Sequence, residues 1–192
     1  MATPPLEFVR VYENILPQYV CKHLVNFMQF DSDKQIVSNN GRPNFTQLNL
    51  NQSCPSLVAD LVKFAHYGLL KYHMDQPFCQ HWFPESTGME EFRIKRYVGQ
   101  SEDRYDVHVD VGDLTSCKRY LSLLFYLNDD FDGGETTFVQ YDQPSDTYID
   151  IYDIRPKTGS VLIFPPMWMF PHRGRPVLSG AKYIMSTYLN YT

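Results

Sequence analysis

The run YDVHVDV, residues 105–111, decides the fold, because polar side chains alternate in it with valines. Such alternation is typical of a β-strand, in which residues two apart point to the same face. His108 and Asp110 are therefore expected to project together from a strand or its end. An H-x-D pair is common by chance, so the pair alone identifies no site.

A second histidine and a lysine extend the pair to an ordered set, since His172 and then Lys182 follow later in the chain. Two imidazoles and one carboxylate can occupy one face of a divalent iron and leave the opposite positions open, as in non-haem Fe(II) oxygenases. A lysine adds a fixed cation for the far carboxylate of a bound organic acid. The set predicts His108, Asp110 and His172 as catalytic metal ligands and Lys182 as a co-substrate-binding residue.

The segments around these residues resemble a known family in their order and separation. The matching runs are RYVGQ (96–100), YDVHVD (105–110), YLNDDFDGGETTF (126–138), RPKTGSVLIFP (155–165), HRGRPV (172–177) and GAKY (180–183). Because of these runs, roughly residues 92–190 resemble the 2-oxoglutarate- and Fe(II)-dependent dioxygenases of the prolyl 4-hydroxylase type. Two features depart from the family and bear on the substrate. Residues 139–154 form a longer, more acidic stretch, and Tyr183 stands where many members carry tryptophan.

Short strand-like runs dominate the chain from residue 92 onward, which favours a sandwich or a barrel. The candidate strands are Phe92–Tyr97, Arg119–Leu127, Thr136–Val139, Tyr148–Ile154, Ser160–Phe164 and Lys182–Tyr191. The resemblance narrows this to a mainly β fold with N-terminal helices, a double-stranded β-helix (jelly-roll) barrel. We expect one domain over residues 1–192, in which residues 1–90 are a helical support region and residues 91–192 the catalytic β core.

Helical spacing of apolar residues predicts two helices in the N-terminal half. One runs over residues 19–28, and the other starts at Pro55 or Ser56 and continues to about Tyr72. Ser53 or Ser56 is expected to cap the second helix.

The resemblance also implies the cofactors. His108, Asp110 and His172 would bind Fe(II), 2-oxoglutarate would chelate the iron through its oxo-acid end, and O2 would take the remaining position. Lys182 would pair with the distal carboxylate of 2-oxoglutarate, and Tyr97 would form a hydrogen bond with this co-substrate. Oxidative decarboxylation would give succinate and CO2 and hydroxylate an unactivated C–H bond, with ascorbate as an optional reductant.

Three residues are candidates for contact with the primary substrate. Arg119 and Tyr105 match positions that contact the substrate in prolyl hydroxylases, and Trp168 lies in an apolar cluster just before His172. Each has an ordinary alternative: a surface ion pair for Arg119, a plain strand position for Tyr105 and core packing for Trp168.

Three functions stay open. The first is hydroxylation of a prolyl residue in a proline-containing peptide or protein. The second is the same cofactor chemistry on a free amino acid, a small metabolite or a nucleobase. The third is a non-catalytic jelly-roll binding module, which the presence of all three ligands together with Lys182 disfavours.

Composition limits the partners. Of 192 residues, 43% are hydrophobic and 15% aromatic, which is typical of a packed globular protein, and the net charge of −5 disfavours broad nucleic-acid binding. Apolar runs are too short to span a membrane, and the first residues lack the pattern of a signal peptide. The four scattered cysteines favour a reducing, cytoplasmic location.

Basic residues cluster near the candidate site in the sequence. They are expected to form either a mixed, solvated surface or a basic mouth of the cavity. These residues are Arg93, Lys95, Arg96, Lys118, Arg119, Arg173, Arg175 and Lys182.

Overall fold

The computed structural model describes residues 4–31, 34–38 and 43–192. Within these ranges the chain is mostly β. The α-helices are α1 (Gln18–Phe30), α2 (Leu50–Ser53) and α3 (Pro55–Asp75), and two short 3-10 helices span Leu6–Phe8 and Pro77–His81. The strands are β1 (Arg10–Tyr12), β2 (Gln35–Ser38), β3 (Asn44–Asn49), β4 (Thr87–Met89), β5 (Arg93–Val98), β6 (Tyr105–His108), β7 (Arg119–Tyr126), β8 (Asp132–Gly133), β9 (Thr136–Asp142), β10 (Thr147–Ile154), β11 (Val161–Phe164), β12 (His172–Gly174), β13 (Val177–Ser179) and β14 (Ala181–Tyr191).

Both predicted helices are present, and each buries one apolar stripe. In α3 the buried positions Leu61, Ala65, Gly68 and Tyr72 recur every three or four residues, as helical geometry requires. A methyl group on Gly68 would come within 3.2 Å of Val161 Cγ1, so the helix packs closely on β11.

The predicted cap of α3 is wrong. The N-cap residue is Cys54, which makes no side-chain capping bond, and Pro55 occupies the first turn. A proline there has no N–H to be capped and a backbone angle already suited to a helix, which is why a serine cap is not needed. Asn49 instead caps the preceding short helix α2, because its side chain accepts a hydrogen bond from the Asn51 N–H at 3.1 Å.

Two larger antiparallel sheets carry the fold, and β8 and β13 pair as a small third sheet. The eight-stranded sheet has the order β1-β11-β7-β14-β5-β3-β2, with β4 paired to β14, and the four-stranded sheet has the order β10-β9-β12-β6. This mostly β, jelly-roll architecture confirms the predicted fold class. Across the described ranges the sheets stay open at their edges and do not close into a barrel.

Residues before position 90 contribute more than helical support. Strands β1 to β4 come from this region and extend the larger sheet on both sides. In β3 the buried residues are Phe45 and Leu48, three apart, so the run lacks the two-residue alternation that identifies a strand from sequence. Because of this spacing, the sequence pattern alone does not predict β3.

The core has two parts. One cluster packs the helices on the larger sheet, through residues such as Leu24, Leu61 and Phe125. The other lies between the sheets and includes Phe138 from β9 and Ile184 from β14. The space between the sheets is therefore walled by both, and the candidate site opens there. None of the helices in the described ranges is long and apolar enough to cross a membrane.

Candidate metal centre and co-substrate pocket

The structure brings the three predicted metal ligands together. His108 ends β6 and His172 begins β12, and the two are directly opposite in the antiparallel pairing of these strands. Asp110 lies just beyond β6, in the loop, and not within a strand. Its Oδ1 is 3.6 Å from His108 Nε2 and its Oδ2 is 3.8 Å from His172 Nε2. One ligand atom from each residue lies within 4.8 Å of the others.

Backbone carbonyls fix the orientation of both imidazoles. His108 Nδ1 is 2.8 Å from the Asp106 carbonyl oxygen, and His172 Nδ1 is 3.0 Å from that of Phe170. A carbonyl oxygen only accepts, so each Nδ1 carries the proton and donates it. The lone pair of each Nε2 then points at the space beside Asp110, which is the arrangement found in metal-binding histidines.

Asp110 is held by side chains from two neighbouring strands. Ser122 Oγ donates to Oδ2 at 2.7 Å, and the Tyr188 hydroxyl donates to Oδ1 at 3.2 Å. Ser122 in β7 and Tyr188 in β14 are register partners, so one rung of the larger sheet positions the carboxylate. The Asp110 N–H also donates to the Pro166 carbonyl at 3.1 Å.

The protonation states suit a divalent metal. Burial acts to raise the pKa of Asp110, but the neighbouring His172 and His108 and the Ser122 hydrogen bond outweigh it and hold the pKa well below the usual range. Burial, reinforced by His108, lowers the pKa of His172 to about 4. The group thus offers a carboxylate and a neutral imidazole around neutral pH, and this donor set fits Fe(II).

A pocket extends from the metal ligands along β14. Alternate residues of this strand line it, from Lys182 through Ile184 and Ser186 to Tyr188. Tyr188 contacts Asp110, so Lys182 marks the opposite end. An elongated acid could therefore reach from the metal ligands to the lysine.

Lys182 is a buried cation with little compensation from the protein. Its Nζ donates to the Gly134 carbonyl at 2.6 Å and lies 5.7 and 5.8 Å from the ring centroids of Tyr97 and Tyr126. Burial lowers the pKa of Lys182 to about 7, and Glu135 opposes this shift. Gly134 has φ +68°, and a methyl group on it would lie 3.2 Å from Lys182 Cδ, so a glycine is required at this contact. A bound carboxylate would stabilise the charged lysine.

Tyr97 faces the same pocket as Lys182. The two residues are register partners in β5 and β14, and both line the cavity. Within the described ranges, no hydrogen bond involves the Tyr97 hydroxyl, which leaves it able to donate to a ligand. The structure thus places Tyr97 where its predicted contact with 2-oxoglutarate could form.

Tyr105, the first substrate candidate, lines the pocket beside the metal ligands. Its ring stacks on His108 with a centroid separation of 3.6 Å and an interplanar angle of 8°. It also borders an adjoining groove formed by residues 104–106 and 173–176. Tyr105 therefore stands between the metal ligands and the groove.

Arg119 lies beside the metal centre, outside the pocket wall. Its Nε and Nη2 pair with the two carboxylate oxygens of Glu90 at 2.7 and 2.8 Å, and its Nη1 donates to the Asp110 carbonyl at 2.8 Å. Its guanidinium carbon lies 3.8 Å from the centroid of the Tyr188 ring. These contacts favour a positioning role for Arg119, while its predicted contact with substrate stays a prediction.

Trp168 lies in the turn between β11 and β12 and is 76% exposed. It takes no part in the pocket wall; its neighbour Phe170 packs into the core instead, and Phe164 packs against His172 at a centroid distance of 4.9 Å. A substrate could contact Trp168 only by extending out of the pocket onto this turn.

The acidic stretch identified in the sequence forms the β9–β10 hairpin and neutralises part of the basic cluster. Asp150 pairs with Arg173, and also with Arg175 at 2.5 Å. Arg175 is further paired with Asp153 at 3.2 Å. The cluster is therefore a mixed surface at the hairpin, whereas Lys95 and Lys182 point into the pocket.

Changing Arg119 to glutamine should lower metal affinity and stability together. Glu90 would lose its bidentate partner, and the Asp110 loop would lose a donor. We expect destabilisation of about 2 kcal/mol, a fall in Tm of about 4–8 °C, and at least about tenfold weaker Fe(II) binding. Thermal melting and metal titration measure both effects.

The matched control is Lys63→Gln, because Lys63 pairs with Asp60 at 2.7 Å on the exposed face of α3. A substrate contact would give a different pattern. Substrate hydroxylation alone would then fall, while uncoupled decarboxylation of 2-oxoglutarate and the Tm stayed unchanged.

Comparison with known proteins relates this geometry to a family. Residues 92–190, about half of the chain, match the family model of the 2OG-Fe(II) oxygenase superfamily. The curated "Probable prolyl 4-hydroxylase 4" of Arabidopsis thaliana is 22% identical over 206 residues. That alignment covers 94% of this chain and 66% of the relative, so the chain spans just under two thirds of the relative's length.

Several solved structures of prolyl hydroxylases have a similar fold. The viral collagen prolyl hydroxylase of Paramecium Bursaria Chlorella virus-1, in complex with 2OG, matches at TM-score 0.64 and 19% identity, covering 96% of this chain and 97% of that one. A Pseudomonas putida prolyl-4-hydroxylase matches at TM-score 0.64 and 15% identity, with coverages of 96% and 93%. A Trichoplax adhaerens prolyl hydroxylase, in complex with a hypoxia inducible factor peptide fragment, matches at 0.66 and 16%, with coverages of 96% and 84%. At these identities the likeness shows a shared fold.

Proposed function

The chain belongs to the 2OG-Fe(II) oxygenase superfamily, and we propose that it hydroxylates a prolyl residue in a peptide or protein substrate. The observation that carries the proposal is a single pocket with His108, Asp110 and His172 at one end and Lys182 at the other. In this family, bound Fe(II) and 2-oxoglutarate supply the O2-dependent decarboxylation to succinate and CO2 that is coupled to C–H hydroxylation.

The protein's own residues supply binding and orientation. Lys182 and Tyr97 would hold the distal carboxylate of the co-substrate, through a charge-assisted contact in a site largely closed to water. Phe138 and Phe164 pack around His172, with ring centroids at 5.6 and 4.9 Å, and exclude water from that side of the metal centre.

The groove beside Tyr105 supports a peptide substrate. It is open, adjoins the metal centre, and is bordered by Arg104, Gly174 and Pro176. An extended chain could lie in it and present one side chain to the metal ligands. The ring of Tyr105 offers an aromatic face suited to packing against a proline ring. The names of the similar proteins, which are prolyl hydroxylases, support the same assignment.

Succinate formation with different substrate classes tests the proposal. The Fe(II)-loaded protein would be assayed with proline-rich peptides, free amino acids and oligonucleotides. We expect only the peptides to stimulate succinate formation, and mass spectrometry should show one added oxygen atom on proline. Peptides with alanine in place of proline are the matched controls, and the His108→Ala protein measures background.

Stimulation by a free amino acid or an oligonucleotide, without stimulation by any proline peptide, would overturn the prolyl proposal. The family chemistry would then stand with another substrate.

We also propose a cytoplasmic location. All four cysteines are free thiols, both the buried Cys21 and the exposed Cys117 among them. Fractionation of the source cells would test this proposal, and recovery outside the cytoplasm would contradict it.

A further inference from the structure

Lys95 is a second lysine in the pocket, and it is neither one of the three metal ligands nor one of the residues proposed to hold the distal carboxylate of the co-substrate. It lies in β5 two residues before Tyr97, so both side chains project from the same face of the strand. Both residues line the cavity. The register partner of Lys95 in β14 is Ile184, whereas that of Tyr97 is Lys182. Lys95 is therefore one step nearer to the metal end than Lys182.

Lys95 lacks a carboxylate partner, unlike most cations near the site. Arg119 is paired with Glu90, and Arg175 with the acidic hairpin. Over the described ranges, no carboxylate oxygen lies within the 4.0 Å limit of an ion pair with Lys95, and its Nζ donates no hydrogen bond. Its contacts are two aromatic faces, with the ring centroids of Phe45 at 5.3 Å and Tyr105 at 6.0 Å.

The surroundings of Lys95 favour an anion. Burial lowers the pKa of its ammonium, and Asp110 is the group that opposes this. Asp110, however, is already engaged by Ser122, Tyr188 and the two histidines. Cation–π contacts compensate only part of the desolvation of a partly buried ammonium. An added carboxylate next to Lys95 would supply the missing countercharge.

We propose that Lys95 is a second carboxylate-binding residue, which holds a carboxylate at the metal end of the pocket as Lys182 holds one at the far end. The carboxylate has two chemical sources: the oxo-acid end of 2-oxoglutarate or an acidic group of the primary substrate. The charges of a divalent metal, Asp110, Lys182 and a dianionic co-substrate already balance, so we expect the substrate to supply it. Lys95 would then favour peptides that carry an acidic residue next to the reacting proline. This choice of the substrate as the source of the carboxylate rests on the proposed function.

Binding measurements without oxygen test the role of Lys95 independently of turnover. Calorimetry on the Fe(II)-loaded protein would compare the wild type with Lys95→Met and Lys95→Arg. The probes are 2-oxoglutarate, pyruvate, which carries only the oxo-acid end, and two peptides with Pro-Glu or Pro-Gln. Lys71→Met is the matched control, because Lys71 Nζ lies 5.1 Å from the centroid of Tyr67 on α3, away from the pocket.

We expect Lys95→Met to weaken the Pro-Glu peptide about 10- to 100-fold, to leave the Pro-Gln peptide unchanged, and to be partly rescued by arginine. A similar loss for both 2-oxoglutarate and pyruvate would instead assign the carboxylate to the co-substrate and would still support the proposal. Unchanged binding of all four probes would overturn it.

Failure of the proposed function would look different. Neither peptide would then bind the wild type, while the 2-oxoglutarate and pyruvate measurements would still decide whether Lys95 binds a carboxylate. Melting of the metal-free protein adds a further check. An uncompensated, partly buried charge predicts a higher Tm in Lys95→Met, whereas a lysine that stabilises the fold predicts a lower one and argues against the proposal.

Discussion

Alanine at any one of His108, Asp110 or His172 should reduce succinate formation to background and remove stoichiometric iron. The wild type should bind one Fe(II) per chain, because the described residues contain one group of three such ligand atoms, which lie within 4.8 Å of one another. A three-ligand site that keeps positions open for substrates has no spare protein ligand to replace a lost one. Metal analysis of the purified proteins and a succinate assay measure the two effects.

Two control variants separate this loss from general damage. Asp60→Asn removes an exposed carboxylate on α3, which pairs with Lys63 at 2.7 Å, and should retain iron and activity. His66→Ala removes an exposed histidine on α3 and should do the same. Full iron occupancy together with wild-type activity in His172→Ala would show that the ligand assignment is wrong.

The C-terminal half could be predicted in detail, because its signals are local. The six predicted strands all correspond to observed strands, from Arg93–Val98 to Ala181–Tyr191, with ends shifted by a few residues. In β7 and β14 consecutive residues, most of them apolar, are buried on both faces. Such runs identify strands even where alternation is weak.

The support of the metal centre could not be predicted in the same way. Ser122 and Tyr188 reach Asp110 only because β7 and β14 pair in one register. The bidentate contact of Arg119 with Glu90 also joins distant parts of the chain. Pairings of this kind depend on tertiary structure, and a single sequence carries no local signal for them.

Lys95 did carry a signal in the sequence. It precedes Tyr97 by two residues in a strand, so alternation alone places it on the pocket face. The sequence around Gly134 carries no such signal, because Gly134 contacts Lys182 through its backbone carbonyl. A turn glycine and a ligand-pocket glycine look alike in sequence.

Lys182→Ala, and the volume-preserving Lys182→Met, should raise the concentration of 2-oxoglutarate needed for half-saturation by about 30- to 150-fold. This corresponds to the loss of a charge-assisted contact of about 2–3 kcal/mol in a largely desolvated site. Fe(II) binding should change little, because Lys182 lies at the far end of the pocket from the metal ligands. Calorimetric titration with 2-oxoglutarate in the absence of oxygen measures the change, and Lys71→Met is the surface control.

The pH dependence of 2-oxoglutarate binding gives a sharper test of the same residue. Burial lowers the pKa of free Lys182 to about 7, and a bound carboxylate should raise it, so binding takes up a proton above that pH. Affinity should therefore be full below about pH 7 and fall up to tenfold per unit as the pH rises towards the raised pKa of the complex. The neighbouring Tyr97 and Tyr126 stay neutral through this window, because burial raises the pKa of each. This dependence should disappear in Lys182→Met.

If instead the affinity and its pH profile are unchanged in Lys182→Met, another cation holds the carboxylate. Arg175, which also lines the pocket, is then the residue to replace next.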